Sequence, residues 1–199
     1  MAAHEVATDP AAAERRFLFV TGSSRPDGNT ETLARLAAEQ LPAHLPQRWL
    51  HLRDLPMPAF RDVRHRDDPV RVPAGPERLL LDETLAATDL VIVTPLYWYC
   101  MSASVKLYLD YWAGWERLPG VDFKPRMRGK TLWAVSVMAD DDLAVADPLV
   151  QILQRSARYL DARFAGALLG SGSWPDDIAK DAAAVERARG YFDLNPLPR

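Results

Sequence analysis

The sequence predicts an α/β three-layer sandwich: a five-stranded parallel sheet with helices on both faces. Three observations lead there. Short apolar runs alternate with amphipathic stretches along the chain, which reads as repeated βαβ units. The first, third and fourth runs are apolar on both faces, as strands buried in a parallel sheet are. The first run ends in a loop with two glycines, two serines and a threonine that leads into a helix, where open α/β sheets bind ligands.

The strand-like runs cover residues 17–21, 48–52, 90–94, 131–135 and 164–168. Helical patterns fill the gaps at 30–41, 77–87, 102–112, 148–161 and 175–191. Right-handed crossovers between parallel strands then place helices on both faces. The Pro-rich stretch 53–76 reads as an ordered loop with little regular structure. Residues 1–14 read as a flexible N-terminal arm, and 15–199 as one domain.

Composition narrows the partners. Of 199 residues, 24 are basic and 27 acidic, a formal net charge of −3. No basic excess exists to neutralise a nucleic-acid backbone, so no nucleic acid is expected. Cys100 is the lone cysteine. The chain thus carries no disulfide framework or four-thiolate cluster, which suits a reducing cytoplasm. No run reaches the roughly 20 apolar residues of a membrane span, and the Ala-rich start lacks the apolar core of a signal peptide. His4, His44, His51 and His65 show no metal-ligand spacing and read as surface residues.

The loop after the first strand is Gly22-Ser23-Ser24-Arg25-Pro26-Asp27-Gly28-Asn29-Thr30. A helix N-terminus offers unpaired N–H groups and partial positive charge to a phosphate. Ser23, Asn29 and Thr30 add neutral donors, and Arg25 a planar charged one. The loop is not a P-loop, because Asn29 follows Gly28 where a lysine would stand, and Ser24 breaks a G-x-G-x-x-G pattern. An ordinary strand-to-helix turn capped by Asn29 or Thr30 is the plain alternative.

This loop resembles the phosphate loop of the NADPH-dependent FMN reductase family, G-S-x-R-x-x-G/S-N-T. The resemblance implies that Ser23, Arg25, Asn29 and Thr30 hold the FMN phosphate. A second run follows the third strand, Thr94-Pro95-Leu96-Tyr97-Trp98-Tyr99-Cys100-Met101-Ser102, with Lys106 and Asp110 beyond it. It is similar to the S/T-P-x-Y-x-x-x-x-S-x-x-x-K-x-x-x-D run of the same family. There the resemblance implies that Pro95, Leu96, Tyr97 and Trp98 cradle the isoalloxazine and ribityl chain. A flat, partly polar ring wants backbone donors at its edge and apolar surface on its face. Lys106 and Asp110, four apart, read as a helix ion pair.

The likeness spans roughly residues 16–170 and implies a flavodoxin-like fold with FMN as cofactor and NADPH or NADH as co-substrate. The implied activity is an oxidoreductase that passes hydride through FMN to a small acceptor such as a quinone, azo compound or free flavin, in ping-pong order. No side chain is assigned as acid or base. A flavodoxin-type electron carrier and a cofactor-free regulatory relative are the alternatives. A strongly acidic surface, which helps a carrier dock, is missing. The sequence departs from the family at Tyr99, often a small residue, and in the loop 136–142, which lacks the usual glycines. Three consecutive aspartates there, Asp140, Asp141 and Asp142, read as a solvated turn. Cys100 reads as a buried structural thiol.

Assembly is read from the aromatic residues. Tyr108, Tyr111, Trp112 and Trp115 follow spacings of three and four, so they line one helix face. Val105, Leu107 and Leu109 suit the sheet-facing role. The stripe then reads as a surplus, and a homodimer is expected with this helix and the loop 113–127 in its interface. Packing of the stripe under that loop within one subunit is the alternative.

Overall fold

A computed structural model describes residues 15–63 and 71–192. The expected arm over 1–14 lies outside the described residues, as do His4 and His65. The strands are β1 (Phe17–Thr21), β2 (Gln47–His51), β3 (Asp89–Val93), β4 (Thr131–Met138) and β5 (Arg163–Ser171). All pair in parallel in the order β2-β1-β3-β4-β5, the flavodoxin-like arrangement. The helices are α1 (Asn29–Ala38), α2 (Gly75–Ala86), α3 (Ala103–Trp115), α4 (Phe123–Met127), α5 (Asp147–Tyr159) and α6 (Ala182–Ala188).

The strands sort their side chains by alternation. In β1, Phe17 and Phe19 face α1 and α6, while Leu18 and Val20 face α2, α3 and α5. The chain order of the sheet turns direction between β1 and β3. Their carboxyl ends therefore splay outgoing loops apart and open a crevice there.

Several expected boundaries move. Strand β4 runs on to Met138, because Ser136, Val137 and Met138 are buried and pair with Leu169, Gly170 and Ser171 of β5. The helix expected over 175–191 breaks in two, a 3-10 turn (Asp177–Lys180) followed by α6. The break falls at Asp181, whose carboxylate accepts from Ala184 N at 2.9 Å as the N-cap of α6. Within the stretch expected as a loop, Leu52–Asp54 form a 3-10 turn, and α2 starts at Gly75 with Pro76 in its first turn. Residues 64–70 lie outside the description.

The aromatic stripe corrects the expected interface. Tyr108, Tyr111, Trp112 and Trp115 are each 6% exposed or less, buried within one chain. Helix α4, inside the supposed loop, brings Phe123 to 6.0 Å from Trp112 and 5.7 Å from Trp115. Phe60 covers Tyr111 from the other side, at 5.6 Å. Three of the four polar tips are satisfied internally: Tyr111 donates to Pro58 O, Trp115 to Glu77, and Tyr108 meets Thr84, while Trp112 Nε1 is buried with no hydrogen-bond partner among the described residues. The stripe is the core face of α3, Val105 joins it, and Leu107 and Leu109 are the half-buried residues.

Candidate functional site

The site begins with Gly22. Its N–H donates to Val93 O of β3, and its carbonyl accepts from the Ser104 hydroxyl of α3. A Cβ here would lie 2.3 Å from Val105 Cγ2 and 2.5 Å from Ser102 Oγ, so only glycine lets α3 pack this close. The chain then turns through Ser23, whose hydroxyl accepts from Arg25 N and donates to Arg25 O, both at 3.1 Å. Asp27 takes a left-handed conformation (φ 50°), and α1 starts at Asn29 with Gly28 as N-cap. Neither Asn29 nor Thr30 is the cap. The helix opens its first N–H groups toward the crevice.

The second loop leaves β3 at Thr94, whose buried hydroxyl accepts from Ser102 N and donates to Pro95 O. Tyr97 and Cys100 pair in both directions, at 2.9 and 3.0 Å. Trp98 (φ 49°) and Tyr99 (φ 63°) form the tip of this tight turn, both in the left-handed region. A turn with positive φ at both central residues normally takes Asn-Gly. Here two aromatic residues hold it, with Trp98 92% and Tyr99 58% exposed.

The two loops face one cleft of about 240 Å³. Ser23, Arg25, Asn29, Thr30, Pro95, Leu96 and Tyr97 all line it. Trp98, also singled out in the sequence, is not among the lining residues; it follows Tyr97 in an exposed turn. Arg25 is exposed, its guanidinium available. Asn29 departs from the simple donor picture. Its amide donates to Trp174 O at 2.8 Å and accepts from Ile178 N, latching the segment after β5 across the cleft.

Sequence reasoning assigned no site residue on the far wall, which is Val137, Met138 and Ala139 of the 136–142 stretch together with Gly172 and Ser173. The apolar run 131–138 carried a signal, since only Ser136 interrupts it after Thr131. Gly172 sits in a tight place, where a Cβ would approach Asn29 Nδ2 and Ile178 N at 3.1 Å. Asp140, Asp141 and Asp142 lie outside this cleft as an exposed turn, with Asp142 accepting from Ala144 N. Lys106 and Asp110 pair at 2.5 Å on the exposed face of α3. Cys100 is half-buried rather than buried. His51 also departs from the surface reading. It is partly buried, with Nε2 2.9 Å from Glu31 Oε1. Among the described residues, no group of three His, Cys, Asp or Glu stands close enough to hold a metal.

The β1–α1 loop and α1 contribute Ser23, Arg25, Asn29, Thr30 and a helix N-terminus to the cleft, and among the described residues no carboxylate lines it. The loop after β3 and the end of β4 contribute Pro95, Leu96, Tyr97, Val137 and Met138. Donors from the first loop and apolar surface from the second fit a phosphate joined to a flat ring. The family model of the NADPH-dependent FMN reductases matches residues 15–166.

The chain belongs to the NADPH-dependent FMN reductase family.

FMN is therefore its cofactor, and it is a flavin oxidoreductase that draws on NAD(P)H. This family member is 29% identical over 174 residues to YwqN of Bacillus subtilis (strain 168), named there as a candidate NAD(P)H-dependent FMN-containing oxidoreductase. That match covers 87% of this chain and 94% of the relative. Among solved structures, Trp repressor binding protein from Bacillus subtilis superposes with a TM-score of 0.72 at 25% identity, covering 90% of this chain and 99% of that one. An NAD(P)H:quinone oxidoreductase from Methanothermobacter marburgensis gives 0.65 at 13% identity, covering 92% and 100%. An FMN-dependent NADH-azoreductase from Bacillus anthracis in complex with FMN gives 0.61 at 11%, covering 88% and 96%. The last two likenesses speak for the fold.

Proposed function

We propose that residues 15–199 act as one FMN-binding domain, with the FMN phosphate on Ser23, Arg25, Asn29 and Thr30 and the ring on Pro95, Leu96, Tyr97 and Trp98. The observation that carries this reading is the mixed lining of the cleft: donors from the β1–α1 loop and apolar side chains from the loop after β3 and the end of β4, with no carboxylate among the described lining residues. Bound FMN supplies the two-electron centre that takes hydride from NAD(P)H and passes it on. The residues of this chain bind and orient. Arg25 offers a two-pronged charged donor, and the first turn of α1 offers backbone N–H groups and its dipole. Asn29 serves chiefly by holding the 173–178 segment over the phosphate end. Pro95, Leu96, Val137 and Met138 keep water from the ring.

The acceptor class is a small flat molecule, a quinone, azo compound or free flavin, that takes the place vacated by nicotinamide. The exposed Tyr97-Trp98-Tyr99 turn on the rim supports this, because aromatic faces suit planar acceptors. We take the protein to work in the cytoplasm as a homodimer, without nucleic acid or membrane as partner. Among the described residues no helix is long and apolar enough to cross a membrane.

The test is a spectrum of the purified protein, followed by chromatography of the released cofactor. One FMN per chain is expected, together with NADPH or NADH oxidation that depends on an added quinone or azo dye. Recovery of FAD alone, or a chain that binds no flavin, overturns the reading.

A further inference from the structure

Behind the phosphate loop lies an ion cluster with no part in the cleft wall. Glu31, in the first turn of α1, is 3% exposed. Its Oε1 accepts from Arg35 Nε at 3.0 Å and Nη2 at 2.5 Å, and lies 2.9 Å from His51 Nε2. Among the described residues its Oε2 has no hydrogen-bond partner, and Arg53 Nη1 stands 4.0 Å from it. Arg53, in the 3-10 turn after β2, also stands 3.7 Å from Asp54. The same Nη1 donates to Arg25 O at 3.0 Å.

That last bond matters because of what else Arg25 O accepts. The Ser23 hydroxyl donates its one proton to the same carbonyl. A hydroxyl spent there is not available to a phosphate oxygen. With Arg53 also on the carbonyl, Ser23 can turn its proton outward while Arg25 O stays satisfied. Its oxygen still accepts from Arg25 N, so the loop keeps its shape. Without Arg53, the turn would leave this exposed carbonyl to water, which does not fix the loop as a charged side chain does.

We propose that Arg53 is a positioning residue for the FMN phosphate: it holds the Arg25 carbonyl so that Ser23 can donate to phosphate, and the buried Glu31 carboxylate keeps Arg53 in place. This rests on the reading that Ser23 and Arg25 take the phosphate.

Apo-protein titrated with FMN and with riboflavin, which lacks the phosphate, separates the two ideas. Wild type must bind FMN more tightly than riboflavin; equal affinity removes the phosphate reading itself. Given that preference, Arg53→Ala should weaken FMN about tenfold, the worth of one hydrogen bond, and leave riboflavin unchanged. Arg53→Lys, which keeps one donor, should recover part of the loss. The double variant Ser23→Ala/Arg53→Ala should bind FMN no more weakly than Ser23→Ala alone. Unchanged FMN affinity in Arg53→Ala, an equal loss for riboflavin, or losses that simply add would each overturn the proposal.

Discussion

Arg25 and Lys130 show how a side chain's surroundings decide what its charge does. Arg25 is exposed and its backbone, not its guanidinium, is tied to the loop. Truncation should therefore cost little packing. Arg25→Ala is expected to weaken FMN roughly 10- to 100-fold, the value of a charged hydrogen bond, with the melting temperature unchanged. Titration of apo-protein and a thermal melt check both halves. Lys130 is the opposite case. Its ammonium reaches Leu85 O and Ala87 O at the end of α2, but burial, helped by Arg126, lowers its pKa to about 8. A lysine lowered on folding disfavours the fold while charged. Its contribution to stability therefore rises between pH about 8 and the unfolded value of 10.5, as the folded chain releases the proton first. Urea midpoints of wild type and Lys130→Met should differ more in favour of wild type at pH 10 than at pH 7.5.

The tight turn from Tyr97 to Cys100 is the element where local preference and structure disagree. Aromatic residues in the left-handed region cost about 1–3 kcal/mol each. Trp98→Asn/Tyr99→Gly would install the pair this turn prefers. The double variant should melt about 2–8 °C higher for a net gain of about 1–2 kcal/mol, and should turn over quinone or azo substrates more slowly. Calorimetry and steady-state assay test the trade. Elements of the opposite kind were legible in advance. β1, β3 and the loop 22–30 declare themselves because periodicity, burial and turn chemistry agree there. The split at Asp181 was not legible, because a helical pattern does not show that an aspartate will leave the helix to cap the next one. The ion cluster of Glu31, His51 and Arg53 was hidden too. Its members come from α1, β2 and the following turn, and only strand pairing brings them together.

At the scale of the molecule, the aromatic stripe of α3 gives a direct contrast. A variant meant to split a dimer at Trp112 would place a carboxylate in the core instead. Trp112→Glu should destabilise each chain by several kcal/mol, seen as a lower melting temperature and loss of near-UV signal. A folded monomer of unchanged stability would restore the stripe as an interface. Helix spacing fixes which residues share a face, but not whether that face meets its own chain or another. Trp115 and Phe123 decide it, through the short helix α4 that no period could announce. Light scattering of wild type at micromolar concentration should still give the mass of two chains, joined elsewhere.

Gly22 sets a limit on how the cleft could be rebuilt. Its N–H belongs to β3, its carbonyl to α3, and its missing side chain to Val105 and Ser102. Ser102 in turn donates its N–H to Thr94, from which the aromatic turn departs. The phosphate-side loop and the ring-side loop are thus one machined part with two working edges. A protein engineer who grafts residues 22–30 onto another parallel sheet, without Thr94 and the 102–105 corner, would transplant a sequence but not its shape.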